Sequence, residues 1–238
     1  MHIGEISFCD KVAFNIKSDE TKKQILSFLE SQYNIKIIQK HHDKVSEATM
    51  SILNKNPHMI CVRSNGNPYF LCLVKHNFTQ YCIFVDKKIQ HGYFLPRMII
   101  VNLHFADDVF KDTIFDGEMV KLKNEKWAFI INDLLCIKGQ HLINTNLPKR
   151  INMLYDLLKT SYTPYAYDPF RICVKTFFTY NDISHIMDSI ADLPYTVRGL
   201  YFKPLYIKFK NLLVNFDDNL IRKVERVKYK NVKTFILN

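Results

Sequence analysis

Residues 112–139 constrain the fold more than any other stretch. Two apolar runs, Thr113-Ile114-Phe115 continuing to Met119-Val120 and Phe129-Ile-Ile-Asn-Asp-Leu-Leu135, flank a charged turn at Lys121–Lys126. Their length and apolar content predict two buried, paired strands. Asp116-Gly117-Glu118 interrupts the first of them. Two carboxylates around a glycine are costly inside an apolar strand. A glycine there marks a bulge or the close approach of a ligand or another backbone. Carboxylates aimed into a wet cleft can accept hydrogen bonds from sugar hydroxyls or hold a cation. The same three residues also suit a solvated hairpin corner, because Asp-Gly is mainly a turn signal.

The chain around this hairpin predicts an α+β fold. Its 238 residues are 47% hydrophobic, enough for a sizeable core and too many for a disordered chain. The 13 tyrosines and 18 phenylalanines favour strands. A short strand opens the chain at Ile3–Phe8. Ser18-Asp19-Glu20-Thr21 reads as a helix start, with Ser18 as N-cap and Asn34 as the stop. A short strand at Lys36–Lys40 and a helix over about 44–53, ended by Asn56-Pro57, follow. From Met59 the texture turns to strands, with candidates at Met59–Arg63, Tyr69–Val74 and Tyr81–Val85. Asn65-Gly66-Asn67 and Asp86-Lys87-Lys88 are turns between them. Pro96 makes Tyr93–Val101 an edge or interrupted strand. Leu147–Lys159 is an amphipathic helix with Pro148 in its first turn. Phe170–Lys175 is a strand, and Asn181-Asp182 opens a helix over 183–191.

Composition narrows the function. The net charge of +10 suits a polyanionic partner. Residues 198–238 alone hold ten Lys or Arg against three acids. The six cysteines show no Cys-x-x-Cys spacing and read as thiols in a reducing compartment. His41-His42 has no Cys or carboxylate at ligand spacing, so no metal site is expected. No apolar run approaches the roughly 20 residues needed to span a bilayer, and no signal peptide opens the chain. The expectation is an intracellular protein without membrane contact. Walker loops, Gly-x-Gly-x-x-Gly, Gly-x-Ser-x-Gly and His-Glu-x-x-His are absent, and six glycines leave no glycine-rich phosphate loop. Phosphates would have to be held by Lys, Arg and backbone at strand ends.

The order strand, Asp-Gly-Glu, turn, aromatic strand, Asp-Leu-Leu-x-Ile-x-Gly resembles the lysine-dependent nucleotidyltransferase superfamily: mRNA-capping guanylyltransferases, ATP-dependent ligases and the cap-binding domain of snurportin. The resemblance covers about residues 59–238 and implies antiparallel sheets with flanking helices around a nucleotide-sized cleft. Residues 1–58 are then an N-terminal extension packed on that domain, and no OB-fold domain is expected. Active members read Lys-x-Asp-Gly-x-Arg between two strands. The resemblance places that motif at Lys75-His76-Asn77-Phe78-Thr79-Gln80, where only the lysine is kept. The fourth motif, Glu-Gly-Leu-Ile/Val-Phe, stands as Arg198-Gly199-Leu200-Tyr201-Phe202-Lys203-Pro204. A guanidinium there repels a divalent cation instead of binding it. The Lys-x-Lys motif that grips phosphates has two candidates. Lys228-Tyr229-Lys230, before Thr234-Phe235-Ile236-Leu237, fits better than Lys208-Phe209-Lys210.

The resemblance therefore implies a catalytically degenerate domain that binds an mRNA cap, an RNA 5′ end or a nucleotide, with no cofactor. Glu118 would contact the ribose, Lys228 and Lys230 the phosphates, and Arg198 would replace the metal's charge, with Asp116 and Lys203 also in the nucleotide-binding set. Trp127, Tyr69, Phe78 and Tyr201 are the candidate base-stacking rings. Two other readings stay open. One is an active guanylyltransferase or ligase adenylation domain using Lys75, Mg and GTP or ATP, with its OB domain supplied by a partner. The other is a structural subunit of a transcription or capping complex, in the cytoplasm or in a viral factory or virion.

Overall fold

A computed structural model describes residues 2–37, 42–76 and 78–216. In chain order the elements are β1 (Ile3–Phe8), β2 (Lys11–Ile16), α1 (Asp19–Tyr33), β3 (His42–Lys44), α2 (Glu47–Lys55) and β4 (His58–Ser64). Then come β5 (Asn67–His76), β6 (Thr79–Asp86), β7 (Met98–Val101), β8 (Thr113–Lys121), β9 (Trp127–Ile137) and β10 (Gln140–His141). The last are α3 (Leu147–Ser161), β11 (Arg171–Val174), α4 (Ile183–Ser189), β12 (Val197–Pro204) and β13 (Asn211–Asn215). The fold is α+β and mostly antiparallel, as expected.

Two sheets divide these strands. The larger has nine strands in the order β1-β2-β7-β6-β5-β8-β9-β10, with β11 joining β9 in parallel. The smaller runs β3-β13-β12-β4, with β3 parallel to β13. The first 58 residues are woven into both: β1 and β2 extend the large sheet through β7, and β3 edges the small one. α1 begins where Ser18 Oγ accepts a hydrogen bond from the Thr21 amide and ends at Asn34, whose φ of 52° is left-handed. α2 starts later than the sequence suggests, because Ser46 takes the N-cap position and its amide donates to Thr49 Oγ1. In α3, Asn146 caps the helix through the Lys149 amide ahead of Pro148. Of the short strand read at Lys36–Lys40, residues 38–40 lie outside the described residues.

One strand differs in kind. β7 is internal, between β2 and β6, and not an edge. Pro96 precedes it, so its missing N–H removes no ladder hydrogen bond.

The large sheet buries one face in an aromatic-rich core built on Tyr69, Leu71, Phe84, Phe115 and Phe129. Alternation sends Phe70, Cys72, Ile114 and Leu135 to the opposite face. α1 covers the upper part of that face with Leu29 and Tyr33. The lower part carries Pro68, Asp116 and Glu118, with Pro68 paired to Glu118 and Phe70 to Asp116. A cleft opens there, toward the small sheet. The small sheet has its own core with α4, including Ile60, Val62, Leu200 and Phe202.

Asp116-Gly117-Glu118 lies within β8 and not at a hairpin corner. The β8–β9 register shifts between Ile114 and Phe115 and again between Asp116 and Gly117. A Cβ on Gly117 would meet Phe129 Cζ at 2.5 Å and Ile130 O at 2.8 Å. This glycine is required by close approach. Gly199 is confined more severely: a Cβ would lie 2.1 Å from Val214 O and 3.0 Å from the Asn215 Cα, both main-chain atoms. Gly199→Ala should therefore push β13 off β12 and cost about 1–3 kcal/mol or more. A fall in the urea unfolding midpoint checks this.

Candidate nucleotide-binding cleft

Two buried lysines join the sheets at the floor of the cleft. Lys175 follows β11, and its Nζ donates to Glu118 Oε2 at 2.9 Å and to Val62 O of the small sheet at 3.1 Å. Glu118 Oε2 also accepts from the Ser64 amide at 3.3 Å and from Ser64 Oγ. Lys203, on β12, reaches the other way, to Asn132 O and Asp133 Oδ2 of β9, both at 3.0 Å. Arg150 of α3 forks onto Asp133, with both contacts at 2.8 Å. Arg150, Lys175 and Lys203 are 0%, 2% and 5% exposed, so these charges are held by their partners and not by water.

The electrostatics follow from that geometry. Burial works against the charge of Lys175, but the adjacent Glu118 carboxylate more than offsets it, and the pKa lies above the ordinary lysine value. Burial likewise opposes ionisation of Asp133, yet Lys203 and Arg150 together hold it below the usual carboxylate range. Tyr201 lines the inner end of the cleft, where burial and the nearby Glu118 push its phenol up to about 12.

The cleft has two chambers. The outer, of about 280 Å³, lies between the end of α1 and the segment after β12; Tyr33, Lys36, His141, Tyr206, Lys208 and Lys210 are among its walls. The inner, of about 40 Å³, is bounded by Asp116, Glu118, Asn132 and Tyr201. Lys87, Asp116 and Lys203 border both. Lys87 Nζ donates to Asp116 Oδ1 at 2.9 Å and sits 4.4 Å above the Phe70 ring.

Asp116, Glu118 and Lys203 converge on the cleft, all three already in ion pairs with this chain's own residues. Lys75 does not join them. It pairs with Gln80 near the far end of β5, five residues beyond Phe70, on the order of 16 Å along the strand. Its side chain is exposed and lines a separate cavity against α1 with Gln24 and Phe28. The expected convergence of Lys75 with the Asp-Gly-Glu strand is thus corrected: β5 pairs with β8 over Asn67–Leu73, and Lys75 lies past the end of that pairing. Arg198 falls at the β12 bulge, between Val197, opposite Ser64, and Gly199, opposite Arg63. It lines neither chamber. Lys228 and Lys230 lie outside the described residues. The other pair, Lys208 and Lys210, lines the outer chamber. Of the four proposed stacking rings, Tyr69 is buried in the core and bonded to Arg97, Trp127 donates to Asp10, and Phe78 is 95% exposed at the β5–β6 turn. Tyr201 alone borders the cleft.

The turn between β4 and β5 was read from sequence only as a turn. It carries the chain from the small sheet to the large one, and Ser64 within it holds Glu118. A Cβ on Gly66 would meet Met119 O at 2.6 Å. The sequence Arg63-Ser64-Asn65-Gly66-Asn67-Pro68 fits the spacing of Lys-x-Asp-Gly-x-Arg, keeps its glycine, and lies between two strands. Its neighbours are Glu118, paired with Pro68, and the β12 bulge. The kept glycine is the signal available in the sequence, and Lys75 matches the motif in residue type alone.

A family model for the mRNA capping enzyme catalytic domain matches residues 43–215. The chain belongs to this family. The match places it in the guanylyltransferase–ligase superfamily and covers the inner walls of the cleft, from β3 to β13. Among solved structures, the chain is similar to the ligase domain of LigD from M. tuberculosis, with 13% identity and a TM-score of 0.39 over 73% of this chain. It spans 57% of that domain's chain. None of the curated proteins compared matches it. Among the described residues, no helix is long and apolar enough to cross a membrane.

Members of the superfamily imply a divalent metal, and the donor set here does not suit one. Asp116, Glu118 and Asp133 are each neutralised by a lysine or arginine of this chain. A cation would have to displace them.

Removing one partner of such a pair strands a buried charge. Lys175→Met should cost about 3–5 kcal/mol, and Glu118→Leu combined with Lys175→Met should recover most of it. Urea titrations of the two variants test the order. The depressed pKa of Asp133 also fixes a pH dependence. Its contribution is present above the unfolded value of about 3.9 and is lost as pH falls through the lower folded value. Acid titration of Asp133→Asn should show a shallower loss of stability across that window than the native chain.

Proposed function

We propose that this capping-family domain binds a nucleotide, an mRNA cap or an RNA 5′ end without forming a covalent nucleotide intermediate. The observation that carries the reading is Arg63. At the β4–β5 turn it stands where the first motif has its lysine, with the bulge residue Arg198 beside it where the fourth motif has glutamate. An amine attacks phosphorus only after losing its proton, and a guanidinium does not lose one in proteins. Arg63 is instead turned to Asn215, whose Oδ1 accepts from its Nη1. Lys75 does not substitute for it, being exposed and some 16 Å along β5 from the cleft floor, about five strand residues.

Binding has better support than chemistry. The outer chamber is close to the lower size of ordinary ligand sites, about 300 Å³. Lys208 and Lys210 line it and make no ion pair with a described residue, so both can face phosphates. Capping-enzyme kinship makes a nucleotide or RNA terminus the natural occupant. Three further residues take roles consistent with this: Lys203 and Asp116 shape the cleft wall, and Glu118 orders its floor.

Incubation with radiolabelled GTP or ATP and a divalent metal, followed by denaturing electrophoresis, should give no labelled band. A band that survives denaturation overturns the reading, whether or not Lys75→Ala removes it. In parallel, a capped or triphosphate-ended RNA should bind at low salt and weaken with a log–log slope of about −0.7 per phosphate contacted. Lys208→Glu with Lys210→Glu should abolish that binding and leave thermal stability nearly unchanged, since exposed lysines contribute little to folding. Absence of binding to any of these RNAs would equally overturn it.

A further inference from the structure

The cleft's two chambers differ in what they can admit. The inner one, of about 40 Å³, has room for about one water molecule. Its mouth is bordered by the Lys87–Asp116 ion pair, whose ammonium lies over Phe70. A nucleobase does not fit there while that pair is closed. The outer chamber is seven times larger, about 280 Å³ against about 40 Å³.

Among the rings lining the outer chamber, two are committed to the fold. Phe70 is 3% exposed and covered by Lys87, and Tyr33 is 7% exposed with its hydroxyl bonded to Asp112. Tyr206 and Phe209 are different. They are 37% and 40% exposed at the rim, on the segment between β12 and β13. Lys208 lies between them in sequence, its Nζ 5.8 Å from the Tyr206 centroid and 5.2 Å from that of Phe209. Lys210 follows directly, on the same chamber wall. Aromatic rings left half in water and interleaved with lysines are the arrangement that binds nucleic-acid single strands: bases stack on the rings and the cations take the phosphates.

Resting on the nucleotide-binding reading above, we infer that the terminal base stacks on the Tyr206–Phe209 rim and never enters the inner chamber. The ligand class is then the 5′ end of a single-stranded RNA, held by the π face of its first base and by its phosphates on Lys208 and Lys210. Stacking tolerates any base, because every base has a π face. Reading the base edge would need polar groups in the plane of the base, and on the segment that carries the two rings, Lys208 and Lys210 suit phosphate better.

The test uses the full chain and a ten-nucleotide RNA with a 5′-triphosphate and a 3′-fluorophore, followed by fluorescence anisotropy. A second RNA is identical except for an abasic first residue. The native chain should prefer the base-bearing RNA by about 5- to 150-fold, the range of one stacked base. Tyr206→Ala with Phe209→Ala should lose that preference and bind both RNAs as the native chain binds the abasic one. Phe209→Trp should keep the preference, and base-bearing RNA should quench the added indole more than abasic RNA does. Changing the first base among A, G, C and U should alter affinity less than about threefold. Thermal melting should show the alanine variant folded, as expected for half-exposed rings. A double alanine variant that keeps the preference overturns the inference, as does a strong dependence on base identity. If the native chain binds both RNAs equally, the rim assignment fails and phosphate binding stands; if it binds neither, the functional reading beneath it fails.

Discussion

The structure depends on two buried, carboxylate-paired lysines that bridge its sheets in opposite directions. Lys175 pairs with Glu118 on the large sheet and donates directly to the Val62 carbonyl of the small one, while the Ser64 amide of the small sheet donates to Glu118. Lys203 leaves the small sheet and ends on Asp133 and the Asn132 carbonyl of the large one. Hydrophobic contact alone would let two sheets slide, because apolar burial has no direction. Ion pairs buried with good hydrogen-bond geometry fix one relative position, since any slip leaves a charge unpaired in a low-dielectric interior. The shape of the cleft is a by-product of that registry.

The same pairs set its chemistry. In a metal-using site, carboxylates are kept available for a cation. Here Asp116, Glu118 and Asp133 are all occupied by lysines and an arginine of the chain itself. The positive charge that remains toward the outer chamber comes from Lys208 and Lys210. A fold shared with capping enzymes thus has its acidic residues turned to structural duty and its basic ones to the rim, an arrangement suited to holding an anion.

Much of the fold was legible because local signals agreed. Ser18 and Asn34 delimit α1, Asn146 and Pro148 open α3, and the Asp116-Gly117-Glu118 break does lie in a strand with an irregular register. Pro96 points to an edge or an interrupted strand over Tyr93–Val101; only Met98–Val101, past the proline, is strand, and it is internal. The site was less legible. Lys75 has the residue type that the chemistry asks for, but position along a strand decides which cavity a side chain meets, and a lone lysine carries no information about that. Gly66 carried more: a glycine is kept where backbone approaches backbone, here Met119 O. Glu118 and Lys203 were visible as polar breaks in apolar strands, but not that Lys175 and Asp133 would claim them, since the partners are 57 and 70 residues away. The role of Lys228 and Lys230 lies outside the described residues.

The pairing of β3 with β13 joins His42–Lys44 to Asn211–Leu213. A ribosome delivers a chain from its N-terminus at about 5–20 residues per second. β3 therefore waits on the order of ten seconds or more for its neighbour, and β4 waits nearly as long for β12. Over that interval the large sheet can assemble from local hairpins such as β5–β6 and β8–β9, with Glu118 exposed until Lys175 emerges and Asp133 lacking one of its cations until Lys203 does. The carboxylates that end as the driest among the described residues begin as the solubilising charges of a half-made sheet, keeping its open face wet until the second sheet arrives to cover it.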